Sequence, residues 1–269
     1  MDLGLGGRIA LVTGASKGIG KAIARGLARE GCSVALAART AVDLEAAARE
    51  IHAETEAPTF AVPADLTRTD DAKRMVARVV ERFGRIDILV NNAGAAKGGV
   101  IEHLTDDDWE SALQLKFFGY VRCVRAVLPE MRRQGGGRIV NLIGNDGVKP
   151  SYWEIAPGAA NAAGQNLTLS LAGQYGKENI TFVAVNPGPV RTERWDGLVR
   201  AMARDMSLSF EQADRLAPRS IPLGRIAEPE EVADLVVFLA SDRARFINGT
   251  MIEIDGGQQK AVMDALRNG

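Results

Sequence analysis

The chain has 269 residues, of which 46% are hydrophobic and 25% charged, a balance typical of globular proteins rather than of disordered chains or repeat arrays. The formal net charge of −1 argues against non-specific nucleic-acid binding, which needs a basic surface to neutralise phosphates. No apolar run approaches the roughly 18 residues of a membrane span, no basic signal-peptide region opens the chain, and two cysteines are too few for a disulfide framework. We therefore expect a cytoplasmic protein with no membrane or nucleic-acid partner.

Short apolar runs alternate with longer amphipathic segments along the chain. The predicted strands are Arg8–Thr13, Ser33–Ala38, Thr59–Val62, Ile86–Asn91, Gly137–Ile143, Thr181–Asn186 and Thr250–Ile254. The predicted helices are Gly18–Glu30, Val42–Glu54, Thr69–Phe83, Asp106–Arg133, Pro157–Tyr175 and Pro229–Leu239. Since such alternation produces right-handed crossovers, the sequence predicts an α/β fold: one Rossmann-type doubly wound domain over residues 1–269, with a seven-stranded, mainly parallel sheet flanked by helices on both faces. Residues 191–218 depart from this alternation of strands and helices, and we expect them to cover a substrate at the carboxyl edge of the sheet.

A glycine-rich turn joins the first strand to the first helix. Its sequence is Thr13-Gly14-Ala15-Ser16-Lys17-Gly18-Ile19-Gly20. Glycines at this spacing permit a tight turn and a close backbone approach to a pyrophosphate, and the helix N-terminus attracts the anion. The turn therefore predicts a dinucleotide site.

The end of the second strand indicates which dinucleotide binds. An acidic residue there would accept hydrogen bonds from the adenosine ribose and select NAD, but the strand ends in Ala37-Ala38-Arg39-Thr40. Arg39, with Lys17 in the glycine turn, can form charge-assisted hydrogen bonds to a 2′-phosphate. We therefore expect NADP(H) to be preferred over NAD(H).

Together with this turn, four further motifs make the chain resemble the classical short-chain dehydrogenase/reductase family. They are Ala64-Asp65-Leu66-Thr67, Asn91-Asn92-Ala93-Gly94, Pro187-Gly188 with Thr192, and Asp255-Gly256-Gly257. The resemblance implies that Asp65 faces the adenine, Asn91 and Gly94 flank the adenosine ribose, and Thr192 approaches the nicotinamide carboxamide. It also implies a homo-oligomer, either a dimer or a tetramer. The cofactor-binding candidates are Gly14, Ser16, Lys17, Gly18, Ile19, Gly20, Arg39, Asp65, Leu66, Asn91, Ala93, Gly94, Pro187, Gly188, Val190 and Thr192.

The four catalytic groups implied by the resemblance are not found at their expected positions. The family uses a tyrosine, a lysine four residues later, a serine thirteen residues before the tyrosine, and an asparagine in the fourth helix. Flanking motifs put these positions at Pro157, Asn161, Gly144 and Lys116 respectively. The nearest tyrosine, Tyr152, has an alanine four residues later. The ordinary carbonyl reductase mechanism is therefore not expected.

Three classes of function remain open. The first is an NADP(H)-dependent oxidoreductase acting on a small organic substrate through a non-standard proton-transfer site. The second is a non-redox enzyme on the same fold, such as a lyase, hydratase or isomerase, and the third is a dinucleotide-binding pseudoenzyme. The catalytic candidates are Lys116, Asp146, Tyr152, Glu154 and Asn161. Asp146 and Glu154 form a pair of carboxylates that could stabilise an iminium or take a proton.

A metal site is not expected. The two histidines, His52 and His103, are predicted to be exposed, and no Cys-x-x-Cys or Gly-x-Ser-x-Gly motif occurs. The intact cofactor motifs favour the oxidoreductase among the three classes.

Overall fold

The computed structural model describes residues 1–260 and 262–267, with seven parallel strands in one sheet. The strands are β1 (Ile9–Thr13), β2 (Ser33–Ala38), β3 (Thr59–Pro63), β4 (Ile88–Asn91), β5 (Gly137–Leu142), β6 (Ile180–Pro187) and β7 (Thr250–Ile254). Their order across the sheet is β3-β2-β1-β4-β5-β6-β7, which confirms the predicted fold class. The strand order reverses beside β1, so the carboxyl ends of β1 and β4 border the crevice where such folds bind ligands.

Helices connect the strands and cover both faces of the sheet. They are α1 (Gly18–Arg29), α2 (Ala41–Thr55), α3 (Thr69–Phe83), α4 (Asp106–Lys116), α5 (Phe118–Arg133), α6 (Ile155–Tyr175), α7 (Glu193–Asp205), α8 (Phe210–Leu216), α9 (Pro229–Ala240) and α10 (Val262–Arg267). Residues of α1, α2 and α9 form the core on one face. Residues of α3, α5 and α6 form the core on the other face. With both faces covered, the strands can be apolar along their whole length, as they are in β1, where all five residues are buried.

The predicted single helix Asp106–Arg133 is wrong, because the structure breaks it at Phe117 into α4 and α5. Phe117 has φ −111° and ψ −64°, outside regular helical geometry. Nη1 of Arg122 donates a hydrogen bond of 2.9 Å to the carbonyl of Gln114, so a side chain bridges the break. The predicted start of α4 is confirmed: Thr105 caps it in a reciprocal pair with Asp108.

A third apolar cluster lies apart from the two sheet cores. It joins α7, α8 and α10 to the loop that precedes α6, and its largest members are Trp153, Trp195 and Met202. Residues 191–218 supply much of this cluster. The helices after β6 therefore pack on one another, with Trp195 and Leu198 of α7 reaching the cavity at the carboxyl edge of the sheet.

Candidate functional site

A cavity of about 550 Å³ opens at the carboxyl edge of the sheet. Fourteen of the sixteen predicted cofactor residues line it: Gly14, Ser16, Lys17, Gly18, Ile19, Gly20, Arg39, Leu66, Ala93, Gly94, Pro187, Gly188, Val190 and Thr192. Lys116, Gly144, Asp146, Glu154 and Asn161 line it as well. The structure thus brings the dinucleotide motifs and most of the catalytic candidates into one space.

The glycine turn forms a cradle in which Gly14 and Gly20 leave no room for a side chain. A Cβ atom on Gly14 would lie 2.9 Å from Cα of Ala93, and Gly14 has φ +66°, which favours glycine. A Cβ on Gly20 would lie 2.3 Å from the carbonyl oxygen of Gly14. Because α1 begins at Gly18, its unpaired N–H groups lie at the cradle. These residues fit a dinucleotide pyrophosphate.

Asn92 and Thr13 hold this cradle against the end of β4. Nδ2 of Asn92 donates to the carbonyls of Thr13 (3.0 Å) and Gly14 (3.2 Å). The hydroxyl of Thr13 accepts hydrogen bonds from the N–H groups of Asn92 (2.9 Å) and Ala93 (3.1 Å). The motif Asn91-Asn92-Ala93-Gly94 did not predict these hydrogen bonds of Asn92 to the turn.

Asn91 and Asp65 lie apart from the other cofactor candidates. Asn91 is fully buried, and its Nδ2 donates to Oδ1 of Asn141 at 2.9 Å. Asp65 turns toward its own loop, where its Oδ1 accepts hydrogen bonds from the N–H and hydroxyl of Thr67. Neither residue lines the cavity, whereas Asn92 and Leu66, the next residues along the chain, do.

The two cations predicted to hold a 2′-phosphate have different surroundings. Arg39 lines the cavity, is exposed, and makes no hydrogen bond or ion pair within residues 1–260 and 262–267. Nζ of Lys17 lies 2.6 Å from Oε2 of Glu193, and this hydrogen bond raises the pKa of Lys17. Arg39 is therefore available to an anion, while Lys17 would have to exchange partners.

Lys116 is the most buried charged group at the inner end of the cavity. It is 7% exposed, and burial lowers the pKa of its amine from 10.5 to about 8. The carboxylates of Asp146 and Glu154 oppose this shift, while Arg194 adds to it. Nothing in the described part of the chain forms a hydrogen bond or ion pair with its amine.

Glu154 shares this environment. Burial raises the pKa of its carboxyl from 4.5 to about 7, and the like charge of Asp146 adds to the shift against the attraction of Arg194 and Lys116. Glu154 forms an isolated parallel bridge with Gly99. The Gly99 N–H donates to the carbonyl of Trp153 at 2.6 Å, which fixes the segment that carries the acid. A carboxyl group with a pKa near neutrality suits proton transfer.

Gly144, Asp146 and Asn161 are in mutual contact. Nδ2 of Asn161 donates to Oδ1 of Asp146, and a Cβ on Gly144 would lie 2.5 Å from that same Nδ2. The positions predicted for the family's serine and lysine, Gly144 and Asn161, thus adjoin each other. Pro157 is buried in the first turn of α6, where proline fits. Tyr152 does not line the cavity, and its N–H donates to Oδ1 of Asp264 at 3.3 Å.

The cavity also has an apolar wall that sequence reasoning missed. Its members are Trp153, Trp195, Leu198, Val262 and Met263. Trp195 and Leu198 lie in the predicted covering segment, whereas the last two belong to α10, for which no element was predicted. The cavity therefore has an apolar side next to its polar groups.

Neither a metal site nor a membrane span is found in the described part of the chain. No group of three or more His, Cys, Asp or Glu side chains among those residues could hold a metal ion. Within the same residues, no helix is both long enough and apolar enough to cross a bilayer.

Known proteins match this chain over nearly its whole length. The family described as "Enoyl-(Acyl carrier protein) reductase" matches residues 14–259. A 3-oxoacyl-[acyl-carrier-protein] reductase from Staphylococcus epidermidis is 35% identical over 92% of this chain and 97% of that protein. An oxidoreductase from Salmonella typhimurium, UcpA, is 38% identical over 94% of this chain and 95% of that protein.

Solved structures agree with these sequence relatives. L-sorbose reductase from Gluconobacter frateurii, solved with NADPH and L-sorbose, superposes with a TM-score of 0.91 at 34% identity. That match covers 97% of this chain and 100% of the reductase. With its parallel sheet, glycine cradle and motif residues around one cavity, the chain belongs to the short-chain dehydrogenase/reductase family.

Proposed function

We propose that this chain is an NADP(H)-dependent oxidoreductase acting on a small organic carbonyl or alcohol, with Glu154 in place of the family's tyrosine as the proton-transfer group. The observation that carries the proposal is the Glu154 carboxyl, which has a pKa of about 7 and faces the same cavity as the glycine cradle. It makes no side-chain hydrogen bond or ion pair with other residues in the described ranges, so its proton can be directed to a substrate.

The residues around the cradle would hold the dinucleotide. Gly14 and Gly20 allow a close approach to the pyrophosphate, and Arg39 can bind a 2′-phosphate through charge-assisted hydrogen bonds. Thr192 lies beside Gly18, 3.4 Å from the position of a Cβ there, where the nicotinamide end would enter. When bound, the cofactor supplies or accepts a hydride at its nicotinamide ring. The solved complex of the related L-sorbose reductase with NADPH supports the choice of NADP(H).

The side chains at the inner end of the cavity would then handle the proton. In the reductive direction the Glu154 carboxyl donates its proton to the substrate oxygen, which becomes a hydroxyl group. The resulting carboxylate is stabilised by the nearby Lys116 ammonium, which already lowers the pKa of Glu154 in part. Asn161 holds Asp146 by a hydrogen bond, which keeps the second carboxylate in place. In the oxidative direction Glu154 accepts the proton.

The pH dependence of NADPH oxidation tests this assignment. Since Glu154 must be protonated to reduce a carbonyl, kcat/KM should fall as the pH rises through about 7. Glu154→Gln should lower kcat/KM about 100-fold, a typical contribution of general acid catalysis, and should leave the affinity for NADPH unchanged. The exposed Glu110→Gln variant is the matched control. Unchanged activity and an unchanged pH profile in Glu154→Gln would contradict the proposal.

One observation favours the non-redox alternative. Lys116 is buried near two carboxyl groups and has no hydrogen-bond or ion-pair partner in residues 1–260 and 262–267, and an amine with a pKa of about 8 beside an acid can also serve a reaction without hydride transfer. A pseudoenzyme would bind NADPH and turn over none of the carbonyl compounds tried.

We also propose that the chain is cytoplasmic, folds as one domain and forms a homo-oligomer, either a dimer or a tetramer.

A further inference from the structure

Lys116 differs from every other lysine of the chain in its surroundings. Four lysines have carboxylate partners: Lys17, Lys21, Lys97 and Lys149 pair with Glu193, Glu50, Asp108 and Asp255. Three others, Lys73, Lys177 and Lys260, are exposed to solvent. Lys116 alone combines 7% exposure with no hydrogen-bond or ion-pair partner among the described residues. A buried amine that lacks a protein partner and lines a cavity is available to a ligand.

The stem of Lys116 fixes where the amine lies. A Cβ on Gly94 would come within 3.1 Å of Cγ and 3.4 Å of Cε, so the glycine lets the side chain lie flat against the backbone. The stem is thereby confined, and the amine adjoins a cavity that Asp146, Glu154 and the apolar wall also line. Trp153 of the apolar wall lines the same space.

We propose that Nζ of Lys116 is a nucleophile that condenses with aldehydes or ketones in the cavity to form a Schiff base. This activity requires no hydride transfer and stands independently of the proposed oxidoreductase function. Amines are activated in this way by burial away from water or by neighbouring cations. Lys116 is 7% exposed, and the charge of Arg194 also disfavours its ammonium form.

The neighbouring acid completes the chemistry. The neutral amine attacks the carbonyl carbon, a C–N bond forms, and the nitrogen proton passes to the oxygen to give a carbinolamine. Glu154 then donates a proton to the hydroxyl group, the C–O bond breaks, water leaves, and the nitrogen lone pair forms the C=N bond. The product is a protonated imine beside the carboxylates of Glu154 and Asp146. Hydrolysis by the reverse steps restores the amine.

The acidity of Lys116 supports this reactivity. With its pKa lowered to about 8, roughly a tenth of the amine is neutral at pH 7 and half at pH 8. An exposed lysine with an ordinary pKa of ~10.4 is less than ~0.1% neutral at pH 7. The reactive fraction of Lys116 is therefore more than about 100-fold larger.

Reductive trapping tests the proposal without any enzymatic turnover. The full-length protein is incubated at pH 7 with acetaldehyde and sodium cyanoborohydride, which reduces an imine to a stable secondary amine, and the modified peptides are mapped by mass spectrometry. We expect Lys116 to be labelled at least tenfold faster than the exposed Lys177, despite its burial. Because the amine must be neutral and Glu154 protonated, the labelling rate of Lys116 should peak between about pH 7 and pH 8 and fall on either side. Labelling of Lys177 with Lys116 unmodified, or a pH profile like that of an ordinary lysine, would overturn the proposal.

Two variants show whether labelling of Lys116 depends on the acid beside it or only on access of the aldehyde to the cavity. Lys97→Arg removes an exposed lysine outside the site and should leave labelling of Lys116 unchanged. Glu154→Gln keeps the shape of the side chain but removes the proton donor, so it should slow capture about tenfold or more; an unchanged rate would contradict the assisted condensation. Failure of trapping alongside efficient ketone reduction by NADPH would overturn this inference alone. Trapping without NADPH-dependent turnover would overturn the oxidoreductase proposal alone.

Discussion

Replacing Lys116 by methionine should stabilise the protein at neutral pH. Methionine keeps a long, unbranched side chain that can follow the lysine stem along Gly94, but it carries no charge to desolvate. The native pKa of the lysine is about 8 instead of its ordinary 10.5. The native state therefore disfavours the ammonium form by about 3 kcal/mol, since one pKa unit corresponds to about 1.4 kcal/mol.

The sign of the pH dependence follows from proton binding. A lysine whose pKa is lowered on folding binds fewer protons in the native than in the unfolded state, so the free energy of unfolding rises with pH between about 8 and 10.5. The full penalty applies below about 8 and falls to about 1 kcal/mol at pH 10. Because this shift is already net of the attraction by Asp146 and Glu154, we expect Lys116→Met to gain up to about 3 kcal/mol at pH 7.

Urea unfolding followed by circular dichroism measures this difference. Wild type and Lys116→Met are compared at pH 7 and pH 10, and their difference in unfolding free energy should shrink at the higher pH. Lys177→Met, at an exposed lysine, is the matched control and should change stability by less than about 0.5 kcal/mol at both pH values. A loss of stability in Lys116→Met at pH 7, or a difference that does not depend on pH, would refute the reasoning from burial.

Three further predictions concern the cofactor, the loop after β5 and the assembly. Calorimetry should show NADPH binding at least tenfold tighter than NADH, since a charge-assisted hydrogen bond contributes about 1.5–3 kcal/mol, and Arg39→Asp should abolish the preference; equal affinities in the wild type would disprove it. Gly144→Ala should cost at least about 1 kcal/mol more stability than Gly84→Ala. Both glycines have positive φ, but the added Cβ meets Nδ2 of Asn161 and Oδ1 of Asp146 in the first variant and open space in the second. Equal losses of stability would contradict this steric argument. Light scattering should give the mass of a dimer or tetramer, and a monomer at micromolar concentration would count against the homo-oligomer.

Local patterns predicted the strands because their residues are buried on both faces. Continuous apolar runs such as the one in β6 predict a parallel strand. The glycine turn can be recognised from the sequence because its steric requirement lies within eight neighbouring residues. The break at Phe117 left no comparable signal. Arg122 bridges it by donating hydrogen bonds to the carbonyl of Gln114 and to that of Leu66, which is distant in the sequence.

The pKa values and the apolar wall of the cavity could not be predicted from the sequence. Sequence reasoning named Glu154 and Lys116 as candidates, but their pKa values depend on burial among segments far apart in the chain. The apolar wall from α10 was missed because a helix of six residues has too few turns for a periodic pattern. The sequence does not distinguish the roles of Asn91 and Asn92. Asn91 is the last residue of β4 and its side chain bonds to the buried Asn141, whereas Asn92 follows the strand and its side chain bonds to the glycine turn.

The bonds from Asn92 to the glycine turn have a consequence for the thermodynamics of ligand binding. Two carbonyls of the turn accept hydrogen bonds from Asn92 at the end of β4. The backbone around Gly14 thus has little conformational entropy left to lose when a dinucleotide arrives, because the ordering has taken place on folding. Loosening the turn, for example by Asn92→Ala, would transfer that entropic cost to the binding step and weaken affinity.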